Sequence, residues 1–242
     1  MRIAIDTSTE VGRRAARILL AERDVEQIGI IDGPSAGTDG RVTPAGADLG
    51  SYDVVVTGDP SPDALVARAA AAGVAIALWI DEPENGLENG ASTALWGANL
   101  ASGIATCLVA HEAAVVTDYE ELSVAWTEPG RALRRGVPVP FPRPVGPTWA
   151  TVRREDQGLT ELAAPVEGEW AGALAKVTGP GGTNVVGVAD LAVHLEALSL
   201  AAGAACTGRG TFDGGRHRPG DSAERYLLTA MEMGLDVAAY RE

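Results

Sequence analysis

The stretch RIAIDTSTEVGRRAARILL, residues 2–20, decides how the chain is read. Arg2 to Asp6 is a short apolar run, and from Val11 to Leu20 apolar residues recur at helical spacing, with Asp-Thr-Ser-Thr between them. A strand, a tight turn and a helix follow one another in 19 residues, the opening half of a βαβ unit. The same grammar continues downstream. EQIGIIDG (26–33) is a second strand ending at Asp32, followed by a loop up to about Leu49, and YDVVVTGDP (52–60) is a third strand halted at Gly58-Asp59-Pro60. SPDALVARAAAAG (61–73) predicts a helix with Ser61 as N-cap, Pro62 as first helical position and Gly73 as stop. VAIALWID (74–81) is a fourth strand. Alternating strands and helices imply a parallel sheet covered on both faces.

The turn has a chemical meaning. A pyrophosphate is held at such a place by backbone N–H groups and the dipole of the first helix, and glycines let the backbone come close. On the pattern G-x-x-G-x-x-G the positions here are Asp6, Thr9 and Gly12, so only the third glycine stands. Thr7, Ser8, Thr9, Glu10 and Val11 are the residues expected to face the phosphates, with hydroxyls offered in place of the missing glycines. Asp6 works against binding: a carboxylate beside a pyrophosphate costs about 1 to 4 kcal/mol at a partly exposed site. Glu10 adds to the same field. Asp32 stands twenty residues after Gly12, where an acid accepts from a ribose 2′-hydroxyl. It favours NAD over NADP as the cofactor; the alternative is an aspartate that only starts the DGPSAG turn, and no bound cofactor at all.

After Pro83 the pattern changes. Residues 84–92 are rich in asparagine, glycine and glutamate, and ALWGANLASGIATCLVAHEAAVV (94–116) reads as a loop entering a long helix. Several strands follow, then a helix from about Leu191 to Ala205, and a last amphipathic helix from Asp221 or Ser222 to Met233, stopped by Gly234. The proline-rich VPVPFPRPVGP (137–147) cannot be a central strand, because proline has no N–H for the ladder; it is a loop or a sheet edge. The fold class expected is α/β, an N-terminal Rossmann-like parallel sheet in residues 1–95 and a C-terminal α+β mixed-sheet domain in 96–242, with the last helix packing back on the first domain.

Composition bounds the partners. Nineteen basic side chains against 33 acidic ones give a net charge of −14, which repels nucleic acid and anionic membranes. Only Lys176 is a lysine, so lysine chemistry has almost no candidates. Arg2, Asp6 and Glu10 interrupt any leader-like apolar start, and no run is long enough to span a bilayer; the expected location is cytoplasmic. Cys107 and Cys206 sit in apolar runs without metal-type spacing, and three scattered histidines predict no metal site.

The opening turn, YDVVVTGDP and above all GANLASGIA (97–105) resemble the dihydrodipicolinate reductase type of two-domain oxidoreductase, with relatives among saccharopine and homoserine dehydrogenase-like proteins. The resemblance covers the whole chain as an order of elements. It implies a Rossmann domain, an α+β domain whose mixed sheet makes a homodimer or homotetramer, and an NAD(P) cofactor. It places Gly58 and Asp59 near the nicotinamide ribose, the loop after Trp79 beside the nicotinamide, and Asn99 before the helix joining the domains; an N-cap is the plainer role for Asn99. The family also carries a histidine pair and a lysine after the next strand. Here AWTEPGRALRRG (125–136) stands in that place, which separates the chain from the reductase activity itself.

Within that segment Glu128 is a candidate proton donor, and Arg131 and Arg134 are candidates to hold a substrate carboxylate or phosphate. His217, in the glycine-rich 208–220 segment, is a candidate acid or base on a mobile loop. The expected function is an NAD(P)-dependent oxidoreductase for a small substrate, a carboxylate among the candidates. The alternative is a non-catalytic Rossmann-fold protein that has lost dinucleotide binding and serves as a ligand-binding or assembly protein.

Overall fold

The computed structural model describes residues 1–35, 37–81, 92–116, 118–127, 137–141, 148–154, 159–163 and 170–241. The first part of the chain runs β1 (Arg2–Ile5), α1 (Glu10–Leu20), β2 (Gln27–Ile30), β3 (Val42–Pro44), β4 (Val54–Thr57), α2 (Asp63–Ala72), β5 (Ala75–Leu78) and β6 (Thr93–Leu95). A π-helical segment, Leu100–Ala105, leads into α3 (Thr106–Val115). Then come β7 (Glu121–Thr127), β8 (Val137–Phe141), β9 (Thr148–Arg154), β10 (Leu159–Ala163), β11 (Trp170–Gly179), β12 (Gly182–Leu191) and α4 (Ala192–Gly208). β13 (Gly215–His217), α5 (Ala223–Glu232) and β14 (Ala238–Arg241) close the chain.

Two seven-stranded sheets form. The first has the order β3-β2-β1-β4-β5-β6-β13, and every pair in it is parallel. The strand order reverses beside β1, which leaves a crevice at the carboxyl ends of β1 and β4. The second sheet has the order β14-β12-β11-β7-β10-β9-β8; it is antiparallel except for the β7–β10 pair. The fold is therefore a Rossmann-type parallel sheet followed by an α+β mixed sheet.

Alternation along the parallel strands sorts their side chains between two layers. Ile3, Ile5, Val54, Val56, Ala77 and Leu95 face α1, α4 and the inner side of the second sheet, in one continuous core. Ala4, Val55, Ile76, Leu78 and Ala94 face α2 with Tyr52 and Val66. α4 lies over β4 and β5, alongside α1, and also touches β11 and β12, so it belongs to both halves.

Several expectations are corrected. The loop after Asp32 contains β3, and residues 93–95 are strand β6 instead of a loop. Neither shows in the sequence, because three residues carry no periodicity. α2 begins at Asp63, with Pro62 in the cap position and no side-chain cap bond, so Ser61 is not its cap. The glycine-rich 208–220 segment contains β13, which extends the first sheet, and a 3₁₀ turn at Pro219–Ser222. Residues 137–141 of the proline-rich strip form β8, which lies at the edge of the second sheet as its prolines predict, and among the described strands it pairs with β9 alone. Among the described residues no helix is long and apolar enough to cross a membrane.

Candidate functional site

The turn after β1 is a built structure. Asp6 is buried; its carboxylate accepts from the Ser8 amide (2.8 Å) and the Thr57 hydroxyl (3.1 Å), which ties the end of β1 to the end of β4. Thr57 in turn accepts from the Asp59 amide (3.0 Å). Thr7 is fully buried, and its hydroxyl points to the Asp32 (2.9 Å) and Pro34 (2.6 Å) carbonyls, bracing the turn against the loop after β2. Thr9 caps α1 by accepting from the Gly12 amide (3.1 Å). The first backbone bond of the helix is Arg13 N–H to Thr9 (3.1 Å), so the amides of Glu10 and Val11 stand ahead of the intrahelical ladder.

Two glycines beside this turn are required by close backbone contacts. A Cβ on Gly12 would stand 2.1 Å from the Asp6 carbonyl oxygen, the close helix-to-strand approach that the third glycine of the pattern serves. Gly33 has φ +88°, and a Cβ there would meet the Thr7 backbone at 2.4 Å. Arg13 was not singled out by the sequence pattern. Its guanidinium donates to the Thr7 (3.3 Å) and Ser8 (3.1 Å) carbonyls and sets a positive charge over the turn, against Asp6 and Glu10.

Asp32 is exposed and lines a cavity of about 280 Å³ with Ile30, Gly33, Ser35, Val42 and Pro44, at the carboxyl ends of β2 and β3. Gly58 closes on Thr9 and Gly12 from the end of β4. A second cavity of about 290 Å³, between the end of α3 and the β11–β12 turn, holds none of the residues singled out from the sequence.

Farther along the same edge, Trp79 and Asn99 meet. The Asn99 side chain donates to the Trp79 carbonyl (2.9 Å) and the Asp81 carboxylate (3.0 Å), and accepts from the Ser102 amide (2.8 Å) as N-cap of the π-helical segment. Asp81 also accepts from the Ser102 hydroxyl. The Trp79 indole donates to Glu196 of α4 at 2.7 Å, and the Leu100 amide donates to the same oxygen at 3.0 Å. Burial raises the Glu196 carboxyl above its ordinary range, with Asp81 acting in the same direction. Glu196 escapes a motif search; the trace it leaves is a lone acid inside the apolar run LAVHLEALSL.

His217 closes the edge on β13. Its ring stacks on Phe212, with Nε2 2.8 Å from the Asp213 carbonyl and Nδ1 3.4 Å from Asp221. Next to it Arg216 lies 4.3 Å over the Trp96 ring. The fold thus brings Ser8, Thr9, Glu10, Val11, Asp32, Gly58 and Asp59 to one crevice, with Thr7 buried beneath it, and Trp79, Asn99 and His217 to the continuation of the same sheet edge; the Thr7 and Thr9 hydroxyls brace the turn and cap α1, where the sequence suggests hydroxyls offered to phosphate. Glu128, Arg131 and Arg134 lie outside the described residues. His194 is a partner of structure: its Nδ1 accepts from Arg14 Nε at 2.9 Å, and burial, helped by the Arg14 charge, lowers its pKa. Both cysteines are buried, and burial pushes the Cys107 thiol up to about 12.

No protein-family model matches the sequence, and no curated protein matches it. Solved structures do match over nearly the whole chain. A homospermidine synthase from Legionella pneumophila, in complex with NAD, has a TM-score of 0.60 at 10% identity, covering 100% of this chain and 91% of that one. DAP dehydrogenase from C. glutamicum, in complex with DAP, has a TM-score of 0.56 at 14% identity, covering 94% and 95%. A dipicolinate-bound dihydrodipicolinate reductase from Paenisporosarcina sp. TG-14 has a TM-score of 0.54 at 12% identity, covering 90% and 97%. The chain shares the two-domain Rossmann fold of these proteins, the fold its opening turn and GANLASGIA segment resemble.

Proposed function

We propose that the chain is an NAD(P)-dependent oxidoreductase acting on a small substrate bound beside the carboxyl edge of its parallel sheet. The observation that carries this reading is the crevice at the reversal of strand order, where the Asp6–Gly12 turn, the start of α1 and the Asp32 cavity come together. The residues fit a dinucleotide in three ways. Gly12 allows the close approach of helix to strand, the Glu10 and Val11 amides stand free of the helical ladder beside the Arg13 charge, and the exposed Asp32 faces a cavity. Similar folds that bind NAD or NADP+, including an engineered D-amino acid dehydrogenase with NADP+, support the same reading.

When bound, the dinucleotide supplies the hydride chemistry. The chain's own part is to hold phosphate with first-turn amides, to accept ribose hydroxyls at Asp32, and to present Gly58, Asp59 and Trp79 toward the nicotinamide end. Asp32 favours NAD over NADP, because a carboxylate repels a 2′-phosphate. A carboxylate-bearing substrate is the class that Arg131 and Arg134 would hold bidentately.

The test is titration of the protein with NAD+, NADH, NADP+ and NADPH by calorimetry, with Asp6→Asn alongside. The expected result is saturable micromolar binding of the NAD pair, tightened by about an order of magnitude in Asp6→Asn, which drops the charge but keeps an acceptor for the Ser8 amide. If none of the four saturates at millimolar concentration in either protein, the oxidoreductase reading fails, and a ligand-binding or assembly role takes its place.

A further inference from the structure

Glu196 does something the sequence pattern does not assign. It projects from the second turn of α4 and joins that helix to the end of the Trp79 segment and to the start of the π-helical segment, both bonds falling on one carboxylate oxygen. Its helix neighbours Leu195, Ala197 and Leu198 are buried and apolar. Two N–H donors stabilise its ionised form, while burial and the nearby Asp81 favour the protonated one, and burial wins. Tyr226 of α5 also lies within its field; burial holds that phenol neutral far above the ordinary tyrosine range. Arg14 of α1 is engaged by His194, two positions earlier on α4 and so on another side of the helix. The junction therefore holds two carboxyls, Asp81 on the Asn99 side and the buried Glu196 against the Trp79 indole, and a positive charge placed beside Trp79 would favour the ionised form of Glu196 that burial opposes.

We propose that Glu196 makes the site discriminate between the oxidation states of its cofactor, the carboxylate favouring the cationic ring of oxidised nicotinamide over the neutral ring of the reduced form. The inference rests on the oxidoreductase reading above and assigns a specificity role to a residue of α4. It follows by linkage that binding of the oxidised form releases a proton from Glu196 wherever that group is protonated in the free protein. Affinity for the oxidised form then rises with pH, and affinity for the reduced form does not.

The experiment is calorimetric titration of wild type and Glu196→Gln with the oxidised and reduced members of whichever pair the protein prefers, from about pH 5 to about pH 8. In wild type the ratio of the two dissociation constants should shift by about tenfold toward the oxidised form across that range, and in Glu196→Gln it should stay constant within about twofold. A constant ratio in wild type, or a variant that shifts as wild type does, overturns the inference while leaving the cofactor reading intact. Absence of binding to both forms removes the cofactor reading, and the inference with it. Should Glu196→Gln fail to fold, Trp79→Phe provides the second arm. It deletes the indole donor that supports the ionised carboxylate, so the pH at which the ratio turns should move upward; an unmoved transition counts against Glu196.

Discussion

Gly12 and Asp6 act as a pair at the residue scale. The glycine lets α1 start against the carbonyl of Asp6, and the same aspartate turns its carboxylate inward to bind Ser8 and Thr57. The sequence alone casts Asp6 as an obstacle to phosphate, and its negative charge is still there. The geometry adds that the side chain is a brace between β1 and β4, which explains how an aspartate is accommodated where the pattern has glycine. Gly12 has no such substitute. In Gly12→Ala the new methyl meets backbone oxygen, and relief requires α1 to shift off the sheet. The expected loss is about 2 to 4 kcal/mol of unfolding free energy, read from urea denaturation. A variant as stable as wild type would mean that α1 has freedom to move and that the turn is not fixed by this contact.

The decisive element is the helix that leaves the first sheet, with Asn99 at its start. Asn99 caps the π-helical segment through Ser102, and its amide group binds Trp79 and Asp81, while its backbone carbonyl accepts from the Gly103 (3.0 Å) and Ile104 (3.2 Å) amides and the Ser199 hydroxyl (2.6 Å). Asn99→Ala should cost about 1 to 2 kcal/mol in chemical denaturation, somewhat more than a cap alone. Asn99→Asp should cost as much, since it keeps the cap but cannot donate and places a second carboxylate beside Asp81. Full stability in the aspartate variant would show that only the cap matters. Asn99 was legible in advance because capping is local chemistry. The strands β3, β6 and β13 were not, because each is three residues long and exists through its neighbours. β13 is held by Trp96, whose amide donates to the His217 carbonyl (3.1 Å), and by the stacking of His217 on Phe212, contacts that glycine-rich composition does not announce. Glu196 was hidden for the same reason: its partner Trp79 is 117 residues earlier in the chain.

For the molecule as a whole, α4 is the member that keeps the crevice in shape, because it is strapped to α1 at both ends. At its first turn His194 accepts from Arg14, close to the phosphate turn. At its last, Arg209 donates to Asp24 (2.8 and 2.9 Å) and to Glu22 (2.8 Å), just beyond the end of α1. Arg209→Met removes the second strap while preserving most of the apolar stem, and should lower stability by about 1 kcal/mol near neutral pH, as a partly exposed bidentate pair does. The loss should depend on pH in a defined direction. Hydrogen bonding to Arg209 holds the Asp24 carboxyl below its ordinary value of 3.8, against a smaller opposing effect of burial. A carboxyl depressed in the folded state contributes stability above its unfolded pKa and loses it as pH falls through that value toward the folded one. The gap between wild type and Arg209→Met should therefore be open near neutral pH and narrow as the solution is taken below the ordinary aspartate range. Urea denaturation of both proteins at several acid pH values measures it. A gap that is the same at every pH would show that Arg209 acts through packing of its stem, and that charge does not hold α4 to α1 at this end.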